Sequence, residues 1–267
     1  MIKLIASDMD GTLINDKGEI DEKLFETIEI LDKKNIKFVA ASGRFYNQLI
    51  KNFEKVNNEI IVAAHNGAIV KYNKKDEVIF ESFIDSKSYT SLIELSRKEN
   101  MDMFFCAKNC AYTEKPSKNL TKVLNRHNIN LSIVKNLDEI KTKILKITVF
   151  EYNGIKENTI KKLKSCIGED LDIVVSGRQW VDVIKKGTSK GKALSLIQER
   201  YNIKPEETMV FGDHYNDLPM FEKAHHSYAM ENAVDDLKKV AKFMAKSNNE
   251  NGVLRVIQEK ILDNEAY

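Results

Sequence analysis

The chain has 267 residues, 42% hydrophobic and 31% charged, which suits one large or two modest domains and excludes collagen-like, mucin-like and wholly disordered classes. Lys and Arg number 42 against 40 Asp and Glu, so the net charge is +2; with no dense basic stripe, no nucleic-acid partner is expected. Eleven Gly and three Pro leave little material for long linkers, and the three cysteines, Cys106, Cys110 and Cys166, lack C-x-x-C spacing and read as small thiols of a reducing compartment.

In chain order, the first apolar run, IKLIASD at 2–8, is too short and too acidic for a signal peptide. No uncharged apolar run approaches the ~18 residues of a membrane span, so a cytoplasmic protein without membrane contact is expected. Runs at 2–8, 37–42, 59–66 and 208–213 are dense in Val, Ile, Phe and Ala rather than alternating, as parallel strands buried on both faces are. Helices are predicted between and after them, over 21–34, 44–55, 190–201, 216–224, 233–240 and 250–263. Strand–helix alternation predicts an α/β fold with a doubly wound, Rossmann-like parallel sheet. Ligands of such sheets bind beyond the strands' carboxyl ends, and those ends hold Asp8, Ser42, Asn66 and Asp213.

The middle of the chain reads differently. Residues 68–84 predict a hairpin turning at Asn73–Asp76, and 86–99 a helix with Ser86 or Ser88 as N-cap. Strands at 101–106 and 109–113, a helix near 117–126, a strand at 130–134, a short helix at 137–142 and a strand at 144–151 follow. A helix at 156–166 and strands at 171–176 and 179–184 complete the segment. The order αββ(αβαβ)αββ predicts an open sheet with helices on one face. It divides the chain into a core, 1–83 plus 187–267, and an inserted α+β domain, 84–186.

Four strings carry chemistry. Asp8-Met9-Asp10-Gly11-Thr12 follows the first strand, and two carboxylates two apart can enter one pocket if Gly11 turns the chain at once. Such a pair can bind a hard cation, or divide into nucleophile and general acid/base; the plain alternative is an acidic turn. Ala41-Ser42-Gly43-Arg44 offers a hydroxyl and an amide to an anion at a helix N-terminus, or is simply an N-cap. Lys190 opens a predicted helix, where the dipole disfavours a cation unless an anion is near. Asp213, Asn216 and Asp217 place three oxygen-bearing side chains within five residues at a strand end, a metal-site pattern with capping as its alternative. His65, His127, His225 and His226 lack ligand spacing and read as structural or surface residues. Trp180 packs in a core or faces a ligand.

In this order and spacing the four strings resemble motifs I to IV of the haloacid-dehalogenase superfamily, most closely its Cof-type phosphatases with a type IIB cap. The resemblance extends to Asn66-Gly67-Ala68, to Asn248–Val253 and to the element order of 86–184. His214 stands where many members carry a small or polar residue. The resemblance implies a phosphoric monoester hydrolase acting on small soluble phosphoesters, sugar phosphates or a phosphorylated cofactor. It implies Asp8 as nucleophile, forming an aspartyl-phosphate, and Asp10 as acid and then base. Mg²⁺ would be held by Asp8, the Asp10 carbonyl and Asp213. Ser42, Lys190 and Asn216 would bind the phosphoryl group with the amides of Met9 and Gly43, while Asp217 supports the metal site or Lys190. The inserted segment, as a cap, would touch only the leaving group. A phosphomutase and a phosphometabolite-binding module without turnover remain alternatives, and the oligomeric state is open.

Overall fold

The structure, a computed structural model, describes residues 1–262. It separates into two compact units: Met1–Arg44, Leu49–Phe80 and Ser189 onward form one; Glu81–Thr188, joined by Phe45–Gln48, form the other. Among the described residues no helix is long and apolar enough to cross a membrane.

The first unit starts with β1 (Leu4–Ser7), α1 (Glu22–Lys33), β2 (Lys37–Ala41), α2 (Tyr46–Asn52) and β3 (Ile61–Ala64). A hairpin follows, β4 (Ile69–Tyr72) and β5 (Val78–Glu81). In α1, Leu24, Ile28 and Leu31 lie one turn apart on the buried face, and the Asp21 carboxylate caps the helix by accepting the Lys23 N–H.

The second unit runs α3 (Thr90–Glu99), β6 (Met103–Cys106), β7 (Ala111–Thr113), α4 (Lys118–Arg126), β8 (Leu131–Ile133), β9 (Lys146–Phe150), α5 (Glu157–Cys166), β10 (Leu171–Gly177) and β11 (Trp180–Lys185). The chain then returns to the first unit with α6 (Lys190–Tyr201), β12 (Thr208–Gly212), α7 (Leu218–Phe221), β13 (His226–Met230), α8 (Asp235–Val240), β14 (Phe243–Ala245) and α9 (Gly252–Ile257).

The first unit is an α/β fold around an eight-stranded sheet of order β14-β13-β12-β1-β2-β3-β4-β5. The pairs from β14 to β3 are parallel, and β4 runs antiparallel to β3. In register, Ser7 faces Phe211 on one side and Ala40 on the other, and Ala41 faces Ala63. The carboxyl ends of β12, β1, β2 and β3 therefore reach one sheet edge together.

Some predicted elements are shorter or differently built. The helix predicted over 216–224 is a 3₁₀ turn, Tyr215–Asp217, followed by a single turn of α7. That predicted over 250–263 becomes a 3₁₀ turn, α9 and a π turn at Gln258–Leu262, with residue 263 outside the described residues. The start of the helix predicted over 86–99 is a 3₁₀ turn, Ser86–Tyr89, capped by Asp85, whose side chain accepts the Lys87 N–H; α3 itself begins after Tyr89, and neither Ser86 nor Ser88 is its N-cap. Strands β13 and β14 carry no dense apolar run: β13 begins His-Ser, and β14 is a three-residue edge strand with Phe243 and Met244 exposed.

The sheet of the second unit has the order β10-β11-β9-β6-β7-β8. Its helices do not share one face as predicted. Side chains of α3 and α5 pack on Phe105, Ile147, Val149, Val181 and Val183, whereas Leu120 and Leu124 of α4 pack with Phe104, Cys106 and Phe150. Strand side chains alternate between faces, so the two clusters lie on opposite sides of the sheet. The α4 surface has its own reason: Leu120 and Leu124 are one turn apart, behind the Ser117 cap. Trp180 belongs to this side and packs against Phe104 and Phe150.

That side also buries an ion pair. Lys146 Nζ lies 3.1 Å from both Asp182 carboxylate oxygens, and Thr148 Oγ1 donates to Asp182. Removing one partner of such a pair leaves a desolvated charge. Asp182→Ala is expected to cost about 3–5 kcal/mol, read as a lower urea midpoint, whereas Lys146→Met combined with Asp182→Leu should recover most of the loss.

Candidate active site

The turn after β1 brings the first carboxylates into place. The Asp8 N–H donates to the Phe211 carbonyl at 3.0 Å, continuing the β1–β12 ladder by one residue. The Met9 carbonyl then accepts the N–H groups of Thr12 and Ile14, which closes a tight turn over buried Met9. Gly11 sits in this turn at φ +78°, and a Cβ there would fall 2.4 Å from an Asp213 carboxylate oxygen. Only glycine satisfies both conditions.

After β12, Asp217 shapes the opposite loop. One of its carboxylate oxygens accepts the N–H groups of Asp213 and His214 at 2.9 and 3.0 Å. The other accepts from Lys190 Nζ at 2.6 Å, and the same ammonium donates to Asp8. Thr12 Oγ1 donates to Asp213 at 3.1 Å. Carboxylate oxygens of Asp8, Asp213 and Asp217 lie within 4.8 Å of one another.

Lys190 is the first residue of α6, behind the Ser189 cap, and is fully buried. Burial alone would lower its pKa; Asp217 and Asp8 outweigh this and hold it above the usual lysine range. Asp8 also moves upward, but with burial as the cause rather than the opposing force. Burial pushes its carboxyl well above the ordinary value, Lys190 opposes, and Asp217, Asp213 and Asp10 push upward. Asp213 is pushed to about 7, first by burial and then by Asp217, against Lys190 and Thr12.

Three clustered carboxylates share one ammonium, so negative charge is in excess when all ionise. Both oxygens of Asp217 are already occupied by Lys190 and by the loop amides. Asp8 and Asp213 remain as the oxygen donors for a further cation, and a hard divalent ion fits that donor set. The Asp10 carboxylate lies outside this cluster. It is turned to Arg44, with Nε–Oδ2 at 2.8 Å and Nη2–Oδ1 at 2.5 Å.

The remaining residues line the same sheet edge. Ser42 is buried at the end of β2, and its Oγ accepts the Arg44 N–H at 3.1 Å. No helix starts at Gly43; α2 begins at Tyr46, so the anion site expected there is a loop, not a helix N-terminus. Asn216 Nδ2 donates to Asn66 Oδ1 at 3.1 Å, and a Cβ on Gly43 would lie 3.1 Å from the same oxygen. Three pairings escaped assignment from the sequence, those of Thr12, of Arg44 and of Asn66, although Asn66 itself was placed at this edge. Each residue lies in or beside a quoted motif, but a pairing across 34, 150 or 201 positions leaves no trace in local spacing.

Known proteins resemble this chain over nearly its whole length. A family model described as haloacid dehalogenase-like hydrolase matches residues 5–257. The chain is 34% identical over 268 residues to the 5-amino-6-(5-phospho-D-ribitylamino)uracil phosphatase YbjI of Escherichia coli (strain K12), covering 99% of this chain and 98% of that one. Among solved structures it resembles SMU.1108c from Streptococcus mutans UA159, with TM-score 0.88 and 31% identity over 97% of this chain and 98% of that chain. It also resembles TM0651 from Thermotoga maritima, with TM-score 0.82 and 30% identity over 97% of each.

The raised Asp213 value makes metal-free stability depend on pH. The unfolded chain releases this proton near pH ~4, the folded chain near 7. The stabilisation from the bound proton is therefore full below about pH 4 and lost as pH rises through 7. Metal-free protein is expected to lose more thermal stability between pH 5.5 and 8 than its Asp213→Asn variant, measured by Tm in chelator. An added hard divalent cation should raise Tm more at pH 8 than at pH 5.5.

Proposed function

The chain belongs to the haloacid dehalogenase-like hydrolase family, and we propose that it acts as a Mg²⁺-dependent phosphatase of small phosphomonoesters through an aspartyl-phosphate on Asp8. The observation that carries the reading is the buried Lys190 ammonium, held between the Asp8 and Asp217 carboxylates beside Asp213. It is a positive charge built into the floor of a site where a phosphoryl dianion must approach a carboxylate.

Asp8, Asp213 and the Asp10 carbonyl would hold Mg²⁺, which would supply charge neutralisation for the reacting groups. Lys190 adds its own buried positive charge beside Asp8. The Ser42 hydroxyl accepts from Arg44 N–H and so keeps its own proton to donate to a phosphoryl oxygen. Asn216 spends one Nδ2 proton on Asn66 and offers the other. The N–H groups of Met9 and Gly43 complete the set. With the phosphoryl group so fixed, an Asp8 oxygen forms the new bond to phosphorus in line with the breaking bond to the leaving oxygen. Asp10 gives that oxygen a proton. It then takes one from the water that attacks the aspartyl-phosphate, which releases phosphate and restores Asp8.

YbjI is named for a phosphate ester on a ribityl chain. We take 5-amino-6-(5-phospho-D-ribitylamino)uracil as the first substrate to test here, alongside sugar phosphates. It fits the general class of a small alkyl phosphate attached to a cofactor-like ring.

Phosphate release from this panel should require Mg²⁺, stop in EDTA and return when Mg²⁺ is restored. Asp8→Asn should retain its fold by circular dichroism and release no phosphate, because an amide cannot form the phosphoenzyme. Substantial hydrolysis by a clean Asp8→Asn preparation would overturn the mechanism. Lys190→Ala should lower kcat/KM by about 10²–10³ across all substrates alike, since every substrate shares the phosphoryl group. A change in substrate ranking with this variant would assign Lys190 to the leaving group instead.

A further inference from the structure

The turn Met9–Ile14 fixes the backbone of Asp10 but not its side chain. Met9 is buried, its carbonyl receives two N–H groups, and Gly11 is closed against Asp213. The Asp10 side chain itself is 56% exposed. An aspartate in that setting would otherwise distribute among rotamers in water. Arg44 removes this freedom with two parallel N–H···O bonds, which set both the direction and the plane of the carboxylate.

Arg44 is held at its own backbone. Its N–H donates to Ser42 Oγ at 3.1 Å, and its carbonyl accepts the His65 N–H at 3.0 Å. Its side chain is only 23% exposed. The fork that grips Asp10 thus projects from a segment tied to the ends of both β2 and β3. An ion pair this exposed contributes little to stability. Geometry at the reacting centre is a different matter, because a displacement of about 1 Å in a catalytic group can cost about 100-fold in rate.

We propose that Arg44 is the positioning residue of Asp10: it orients the carboxylate that gives a proton to the leaving oxygen and takes one from the attacking water. The inference rests on the phosphatase reading above. It assigns Arg44 no contact with the phosphoryl group.

The test compares two substrates that differ in their need for that proton. Glycerol phosphate must expel an alkoxide, which requires an acid, whereas p-nitrophenyl phosphate expels a phenolate that leaves unaided. For both, kcat/KM reports events up to cleavage of the ester bond. In Arg44→Ala, kcat/KM for glycerol phosphate should fall at least about tenfold further than that for p-nitrophenyl phosphate. The fall should lie in kcat, with KM within about threefold and Tm near that of the wild type. Arg44→Lys keeps the charge but not the fork and should show the same bias in smaller measure. An equal fall for both substrates with a raised KM would make Arg44 a phosphate ligand and overturn the proposal, as would unchanged kinetics. A wild-type protein that hydrolyses neither substrate nor any member of the panel would instead remove the phosphatase reading itself.

Discussion

A lysine with no exposed surface must be neutral or paired, and Lys190 is paired twice. Much else in the site follows from satisfying that one ammonium. Asp217 can serve it only because its other oxygen ties down the amides of Asp213 and His214, so the shape of the loop after β12 and the place of the lysine are set together. Asp8 serves it from β1, the strand next to β12. Lys190 also has to begin α6 deep in the unit, close to the turn after β3. There Gly67, at φ +89°, leaves room for the Ser189 carbonyl, which a Cβ would meet at 2.4 Å.

The carboxylates around this centre are chemically unlike one another. Asp213 is largely buried among like charges, and its proton is held to about 7. Asp10, two residues from Asp8, faces water and a guanidinium. Environments that differ this much let similar side chains take separate tasks within one small volume. The difference arises from backbone placement: one carboxylate is enclosed between two loops, and the other stands at the rim of a turn.

The parts of the fold that were legible in the sequence are those whose burial is two-sided. Strands β1, β2, β3 and β12 are buried apolar runs, and each is followed by polar residues at the sheet edge that holds the site. β13 and β14 were missed for the converse reason: polar residues and an exposed edge dilute the signal to nothing distinctive. The position of α4 across its sheet was equally unreadable, since an amphipathic helix declares which of its own faces is buried but not which face of the sheet receives it. At the site, residue types and spacing around Asp8 and Asp213 pointed to a cation site or a nucleophile with an acid/base partner, and phosphoryl chemistry came only with the resemblance of the four strings together to a known family. Which oxygen meets which donor was not legible, because Arg44 with Asp10 and Asn66 with Asn216 are joined only by the folded chain.

The sheet register also imposes an order on assembly. β1 lies between β2 and β12, with Leu4 paired to Lys37 on one side and to Thr208 on the other. A ribosome that has released the first eighty residues has delivered one neighbour of the central strand and withheld the second until more than a hundred further residues have emerged. The intervening segment carries its own six-stranded sheet and core, and can collapse while the strand bearing Asp8 still has an open edge. Closing that edge joins residues far apart in sequence, the kind of contact that forms slowly and leaves an unpaired strand available to other chains meanwhile. The nascent protein is thus vulnerable to aggregation along the backbone that later leads into Asp8.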